Sequence, residues 1–561
     1  MDLLEVENLT FSYPLCEAPA VRDVSFRLKE GGFTVLCGPT GSGKSTLLRL
    51  MKRELVPLGE KSGRVLFRGT ETEALEAADS ARLIGFVAQN PEQQIVTDKV
   101  WHELAFGLEN LGVPQPVIAR RVAEMAEYFE IESWYEKSVA ELSGGQKQLL
   151  NLAAVMAMDP ELLILDEPTS QLDPIAASEF IATLKKLNDD FSLTVLIAEH
   201  RLEELIPLCD RLLVMGGGAL IADGTPGAVI RDLSGQEELM LAMPAGARLF
   251  RMLGAEGECP LTVRQARQWM GARFGNRIRS LPDEPLDKPL EKPSGKSGTK
   301  EVPALSFRNV RFRYERDLPD VLRGLSLTVR ENEILCVLGG NGSGKTTALG
   351  CASGILKPYA GEIRVFGKRL KEYKNQTLYK DCLALLPQDV QTVFLRNTVR
   401  EELEDAGVSP EELPFDLSRL YDKHPYDCSG GEQQLVALAK VLAAHPRLLL
   451  MDEPTKGLDA GKKRDIAAIL RNLKASGITV LIVTHDVEFA ATAADRCAMF
   501  FRGSVISTEE PKVFFSENRF YTTAAGRISK GVYDRIVTVE DLARLCLLNR
   551  ADGKRDGGAS C

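Results

Sequence analysis

What this chain of 561 residues lacks narrows its options first. No run approaches the roughly 18 to 20 apolar residues that a bilayer-spanning helix needs, so if the protein acts at a membrane, something else must cross it. C-x-x-C pairs are missing: the eleven cysteines, Cys16, Cys37, Cys336, Cys428 and Cys561 among them, are scattered. That pattern points to neither a zinc site nor a disulfide framework and suits a reducing cytoplasm. A basic excess is missing too. With 69 Lys+Arg against 79 Asp+Glu and a formal net charge of −10, long-range electrostatics would repel a polyanion, and no direct nucleic-acid partner is expected. The start, "MDLLEVENLT", is acidic and has no long apolar core, so a signal peptide is not expected.

What is present is an ordinary soluble composition, 44% apolar and 26% charged, with length for two to four domains. Comparing the chain with itself exposes a duplication. "NLTFSY" at 8–13 faces "NVRFRY" at 309–314, and "GPTGSGKST" at 38–46 faces "GGNGSGKTT" at 339–347, both at an offset of 301. "LLILDEPT" at 162–169 faces "LLLMDEPT" at 448–455 at an offset of 286, and "LIAEH" faces "LIVTH" at 285. Nearly all the lost length lies in one interval: Gln89 and Ser143 are 54 positions apart, Gln388 and Ser429 only 41. Between the halves, 281–303 is rich in Pro, Lys and Gly and reads as an exposed linker. Ahead of it, "PLTVRQARQWM" (260–270) weakly echoes "RIVTVEDLARLC" (535–546), so each half is expected to carry a small helical appendix.

Both glycine-rich segments satisfy G-x-x-x-x-G-K-[ST], each after a short apolar run and before a helical pattern. Gly38, Gly41 and Gly43, like Gly339, Gly342 and Gly344, let consecutive backbone N–H groups curl around phosphate oxygens. Lys44 and Lys345 would reach the β- and γ-phosphates, and Ser45 and Thr346 would hold Mg²⁺; Thr46 and Thr347 close the two segments. "LLILDEP" and "LLLMDEP" read as buried parallel strands that present acids at their C-terminal ends. Asp166 and Asp452 would complete the Mg²⁺ shell through water, and Glu167 and Glu453 would orient the attacking water. A free Glu, with a pKa of about 4.3, is a weak base at neutral pH, so positioning counts for more than proton affinity.

His200 and His485 each end a β-like run, at matched distances of 34 and 33 residues past the aspartates. Such a histidine, alone, is more often structural; two of only five at matched positions favour a role at the γ-phosphate or the water. Gln89 and Gln388, after apolar stretches, are candidates for Mg²⁺ or water. Tyr13 and Tyr314 read either as adenine-stacking aromatics or as ordinary strand-end residues. The serine-glycine-glycine turns, "LSGGQ" (142–146) and "CSGGE" (428–432), each open an amphipathic stretch.

With glycine-rich loop, Gln, Ser-Gly-Gly, Asp-Glu and His in this order, the chain resembles two ATP-binding cassette (ABC) domains in tandem. That resemblance implies an α/β fold, each cassette having a RecA-like core, an antiparallel β subdomain and a helical subdomain. The expected layout is a first cassette at 1–232, a helical appendix at 233–280, the linker at 281–303, a second cassette at 304–510, and a C-terminal appendix and tail at 511–561. In the family two cassettes pack head to tail, a pseudo-dimer within one chain here. Site one would then join 38–46, Gln89, Asp166, Glu167 and His200 to Ser429, Gly430, Gly431 and Glu432. Site two would join 339–347, Gln388, Asp452, Glu453 and His485 to Ser143, Gly144, Gly145 and Gln146. "CSGGE" departs from the family's pattern at Cys428, a packing position, and at Glu432; an acid near a phosphate would weaken binding, yet a first-turn acid suits a helix N-terminus, and both readings stand. The implied cofactors are ATP and Mg²⁺, and the implied activity is ATP hydrolysis.

Translation factors with tandem cassettes have a long, highly charged helical linker, unlike the Pro-broken one here, and DNA-repair cassettes carry zinc-binding insertions that the scattered cysteines do not supply. "QNPEQQIVTDKVWHELAFGLENLGVP" (89–114) is similar to the first cassette of energy-coupling factor importers, as are "AEHRLEEL" (198–205) and "FYTTAAGRISKG" (520–531). This implies a transmembrane coupling protein and small substrate-capturing membrane proteins, for vitamins or metal ions, as partners at the cytoplasmic face of the cell membrane. A sugar-importer tandem ATPase is the nearer rival, but those commonly have a degenerate second cassette, whereas Lys345, Asp452, Glu453 and His485 all remain here.

Overall fold

Short runs of Leu, Ile and Val without polar alternation demand burial on both faces, and that demand builds the centre of each half. In the computed structural model, which describes residues 2–14, 18–233, 236–274, 302–374, 377–408, 413–519, 521–533 and 535–552, the strands Phe33–Cys37, Leu162–Asp166 and Thr194–Ala198 are buried along their whole length. They lie within a six-stranded sheet in the order Ala219–Gly224, Arg211–Gly216, Phe33–Cys37, Thr194–Ala198, Leu162–Asp166, Ile84–Val87. All neighbours are parallel except the Ala219–Gly224 edge. A second, four-stranded antiparallel sheet pairs Asp2–Ser12 with Val21–Lys29 and Glu60–Phe67.

The other half repeats this plan. Its six-stranded sheet runs Leu383–Leu386, Leu448–Asp452, Thr479–Thr484, Ile334–Leu338, Arg496–Phe501, Ser504–Glu509, with a four-stranded antiparallel sheet built on Leu305–Phe312. Two compact units result, 1–244 with 459–461, and 245–458 with 462–561.

The unequal interval has a structural cause. Between the Gln89 loop and the helix Gly144–Ala157, the first unit has the helices Val100–Asn110 and Gln115–Tyr128. In the second unit Val399–Asp405 is followed, among the described residues, only by the short 3₁₀ turns Ser418–Leu420 and Pro425–Asp427 before the helix Gly430–Leu442.

The two echoing segments form the helices Val263–Phe274 and Val539–Asp552. With Ala245–Met252 and Ala524–Ser529 they bury Leu249, Ala266, Met270, Ile528, Leu542 and Leu545 in one cluster of the second unit. Arg248 pairs with Glu540 at 2.7 Å, and Arg267 donates to the carbonyl of Lys530 at the same distance. The boundary between the two units falls between Pro244 and Ala245, inside the 233–280 segment expected as an appendix. The expected linker lies outside the described residues except for its last two, Val302 and Pro303.

Candidate functional site

Each glycine-rich loop links the central strand to a helix, Phe33–Cys37 to Lys44–Leu50 and Ile334–Leu338 to Lys345–Ser353. Glycine is required at the last loop position. Gly43 has φ +95, where a Cβ would sit 2.2 Å from the Ala20 carbonyl oxygen, and Gly344 has φ +104. The buried Lys44 ammonium donates to the carbonyls of Gly38 and Pro39 at 3.0 and 3.1 Å, and Lys345 to those of Gly339 and Gly340 at 2.9 and 3.0 Å. Burial lowers the Lys44 pKa, with Glu167 opposing. An anion arriving in the loop would give this cation the partner that water no longer supplies.

Next to the loop, Ser45 Oγ donates to Asp166 Oδ1 at 2.9 Å. Burial and the adjoining Glu167 carboxylate push Asp166 up to about 6 against the pull of Ser45. Burial likewise lifts Asp452 to about 6, with the Thr346 hydroxyl pulling down and Glu453 pushing up. The glutamates go the other way. Burial alone would raise Glu167, but hydrogen bonding and charge from His200, with Lys44, outweigh it and hold the carboxyl below its usual range. His485 and Lys345 do the same for Glu453 against burial. Two neighbouring acids are thus driven apart, the aspartate raised toward neutrality and the glutamate lowered. Among the described residues no group of three or more His, Cys, Asp or Glu is arranged to hold a metal ion. A hydroxyl, a carboxylate and phosphate oxygens, however, are the donor set Mg²⁺ takes with a nucleotide, and the buried Asp452 Oδ1 lacks a hydrogen-bond partner.

The acids stand on strained backbone. Glu167 and Glu453 have φ +45 and +48, a left-handed conformation that costs a non-glycine residue about 1–2 kcal/mol. Glu167 N–H donates to the Ala198 carbonyl and Glu453 N–H to that of Val483, both at 2.9 Å, so the next strand holds each turn. His200 Nε2 lies 2.9 Å from Glu167 Oε1, and Gln89 Nε2 donates to Glu167 Oε2 at 2.9 Å. In the second unit His485 Nδ1 lies 3.0 Å from Glu453 Oε2, and the His485 backbone N–H donates to the same oxygen at 3.2 Å. Gln388 differs from its counterpart: it is exposed, and no hydrogen bond joins it to Glu453.

Tyr13 and Tyr314 each meet a loop-helix hydroxyl, Thr46 and Thr347, at 3.1 Å, and each stands edge-on to a strand phenylalanine, Phe11 and Phe312. The Ser-Gly-Gly turns prove to be capping boxes. Ser143 Oγ accepts from Gln146 N–H while Gln146 Oε1 accepts from Ser143 N–H at 3.0 Å. Ser429 and Glu432 repeat this, with 2.8 Å for the bond from Ser429 N–H. Glu432 is therefore turned back onto its own helix start, as Gln146 is. Cys428 occupies the buried position of Leu142. Within its own unit neither serine hydrogen-bonds any residue of the strand-end cluster.

In the first unit three contacts tie the Gln89 loop to the capped helix Gly144–Ala157. Lys147 pairs with Glu92 at 2.5 Å, Gln148 donates to the Ala88 carbonyl at 3.2 Å, and Asn151 to the Pro91 carbonyl at 3.3 Å. The ion pair becomes Gln391 donating to Gln433 at 3.3 Å in the second unit.

Two acids that the sequence reading passed over complete the clusters. Glu199, 1% exposed, accepts from Thr169 N–H at 2.7 Å, from Thr169 Oγ at 2.6 Å and from His200 N–H at 3.0 Å. Asp486 accepts from Thr455 Oγ at 3.4 Å, caps the helix Val487–Ala493 and pairs with Lys463 at 2.6 Å. Burial opposes ionisation of Asp486, but Lys463 prevails and holds it down at about 2. A carboxyl depressed in the fold adds stability above its unfolded pKa of about 3.9, and that stability is lost as pH falls through about 2. Asp486→Asn is expected to lower stability by roughly 1–2 kcal/mol at pH 7. In urea titrations the gap from wild type stays constant above about pH 5 and closes toward pH 2; a gap independent of pH would remove the pair's contribution.

The family model described as "ABC transporter" matches residues 21–170 and 322–456. The chain is 39% identical over 553 residues to a "Putative ABC transporter ATP-binding protein" of Bacillus thuringiensis subsp. konkukian (strain 97-27), covering 97% of this chain and 98% of that one. It is 33% identical over 535 residues to "Putative HMP/thiamine import ATP-binding protein YkoD" of Bacillus subtilis (strain 168), covering 92% and 93%. Among solved structures it matches cbiO1 from Clostridium perfringens, part of the ABC transporter complex cbiONQ, at 30% identity and a TM-score of 0.39, covering 45% of this chain and 99% of that one.

Proposed function

The chain belongs to the ABC transporter ATP-binding family as two ATPase cassettes in tandem, and from that premise we propose that it energises a membrane importer of energy-coupling factor type. ATP-driven closure of its cassettes would be passed to a transmembrane coupling protein. The observation that carries this reading is the end-to-end likeness to a protein named for HMP/thiamine import, which puts vitamin precursors within the expected class of cargo. Among the described residues no helix is long and apolar enough to cross a membrane; in the proposed reading the translocation path is supplied by partners and the chain works at the cytoplasmic face.

Two features of the units support a protein partner. Val96 and Leu395 stand exposed at matched places after the glutamine loops. Each is displayed by a buried acid: Glu103 accepts from the N–H of Val96 and Thr97, and Glu402 from those of Leu395 and Arg396. The additional helix Gln115–Tyr128 makes the two units unequal, which suits a single asymmetric partner.

In the chemistry we assign, Lys44 and Lys345 would bind the β- and γ-phosphates, and Ser45 with Asp166, and Thr346 with Asp452, would hold Mg²⁺, which would neutralise phosphate charge. Glu167 and Glu453 orient the attacking water beside His200 and His485.

The test is to tag the chain in its native host, solubilise membranes in mild detergent and identify what co-purifies. A polytopic membrane protein with small hydrophobic companions is expected, and reconstituting them with the chain should raise its MgATP turnover severalfold. Ribosomal material without any membrane protein would overturn the importer reading.

A further inference from the structure

The duplication supplies an internal control for the residues around each histidine. The first unit reads Ala198-Glu199-His200-Arg201 and the second Val483-Thr484-His485-Asp486. The acid precedes the histidine in one and follows it in the other. Both acids nevertheless reach the same target, the threonine of Asp-Glu-Pro-Thr: Glu199 meets Thr169, and Asp486 meets Thr455. That threonine lies two residues past the glutamate on left-handed backbone. Such strain persists only where the surroundings over-determine it. A carboxylate delivered to one threonine from opposite sides of a histidine indicates that the turn itself needs an acceptor there.

The choice of side has a consequence. Glu199 also takes the His200 backbone N–H. Glu167 is then held by side chains alone, the His200 ring and Gln89. In the second unit the corresponding N–H goes to Glu453 itself, and the exposed Gln388 makes no hydrogen bond to that glutamate. A buried carboxylate is costly unless all its bonds are made, and the bonds to Glu199 from Thr169 N–H, Thr169 Oγ and His200 N–H come from the residues that frame Glu167.

We infer that Glu199 is a positioning residue of the first ATP site, which holds the Glu167 turn and leaves the Glu167 carboxylate to Gln89 and the His200 ring, with Asp486 as its counterpart in the second. The inference rests on the assignment of Glu167 as the water-orienting group.

The experiment uses the full chain and steady-state MgATP hydrolysis. Glu167→Gln defines the share of turnover that depends on the first site. Glu199→Thr is expected to remove at least two thirds of that share, with KM for ATP within twofold, because the Lys44 cradle is untouched. Adding Arg201→Asp, which rebuilds the second unit's order, is expected to return most of it. Glu199→Gln keeps one acceptor oxygen for Thr169 but sets an amide against His200 N–H; it should stay folded, with a melting temperature near wild type, and still lose turnover. Wild-type turnover in Glu199→Gln would overturn the inference. So would a double variant that regains the wild-type melting temperature without regaining turnover, which is what a merely structural role gives. If Glu167→Gln itself turns over normally, the site assignment falls and the inference with it; if Glu167→Gln is impaired while both Glu199 variants are not, the inference alone falls.

Discussion

Replacing Glu167 and Glu453 together with glutamine is expected to lower MgATP turnover by about 10²–10⁴-fold, the range that a positioned acid-base group contributes, while the protein still folds and binds ATP. Each glutamate is kept ionised despite burial by its histidine and by the loop lysine, so the substitution removes a charge and leaves the shape. Glutamine can still meet Gln89 and the His200 ring, and the melting temperature should move little. Removing an anion from the place where the γ-phosphate arrives should also tighten ATP binding, so KM falls along with kcat. Slowed hydrolysis with retained binding accumulates an ATP-bound, closed chain, which size-exclusion chromatography with radiolabelled ATP would detect. Undiminished turnover in the double variant would remove both glutamates from the water-orienting role.

Lys44→Met is expected to abolish one of two ATP-binding events. Hydrogen bonds to a charged group contribute about 1.5–3 kcal/mol each, and an ammonium spanning two phosphates makes at least two, so affinity at that loop should fall at least about 100-fold. Calorimetric stoichiometry would drop from two nucleotides per chain to one, and Lys44→Met with Lys345→Met would leave none. Stability should not fall in step. Without a phosphate, the Lys44 ammonium is buried against two carbonyls and its pKa is lowered by that burial, so an apolar side chain of similar length holds or raises the melting temperature. A variant that still binds two nucleotides tightly would show that the loop is not the phosphate site.

The elements that were legible in the sequence share one property: a contiguous stretch carries its own physical reason. Gly43 and Gly344 announce positive φ, Leu162–Asp166 and Leu448–Asp452 announce strands buried on both faces, and the matched offsets announce the duplication. The S-x-x-[QE] pattern of Ser143 with Gln146 and of Ser429 with Glu432 was equally local. Of the two readings it offers for Glu432, near a phosphate or as a first-turn acid at a helix N-terminus, the structure shows the second: Glu432 accepts from Ser429 N–H in its own capping box. Motif matching treats Gln89 and Gln388 alike, but only Gln89 reaches its glutamate.

By itself, then, the sequence determined that two phosphate-binding loops, two Asp-Glu strand ends and two terminal histidines occur in order, because backbone conformation and burial at those places depend on neighbours within a few residues. The tertiary structure alone decided which groups meet. It placed Glu199 and Asp486 on equivalent threonines from opposite sides of a histidine, gave the His200 N–H to Glu199 and the His485 N–H to Glu453, and drew the helices after Met243 into one core with those after Thr522. Apart from the bond between the adjacent Glu199 and His200, those outcomes are contacts between segments thirty to three hundred positions apart, whose distances are set by sheet order and packing.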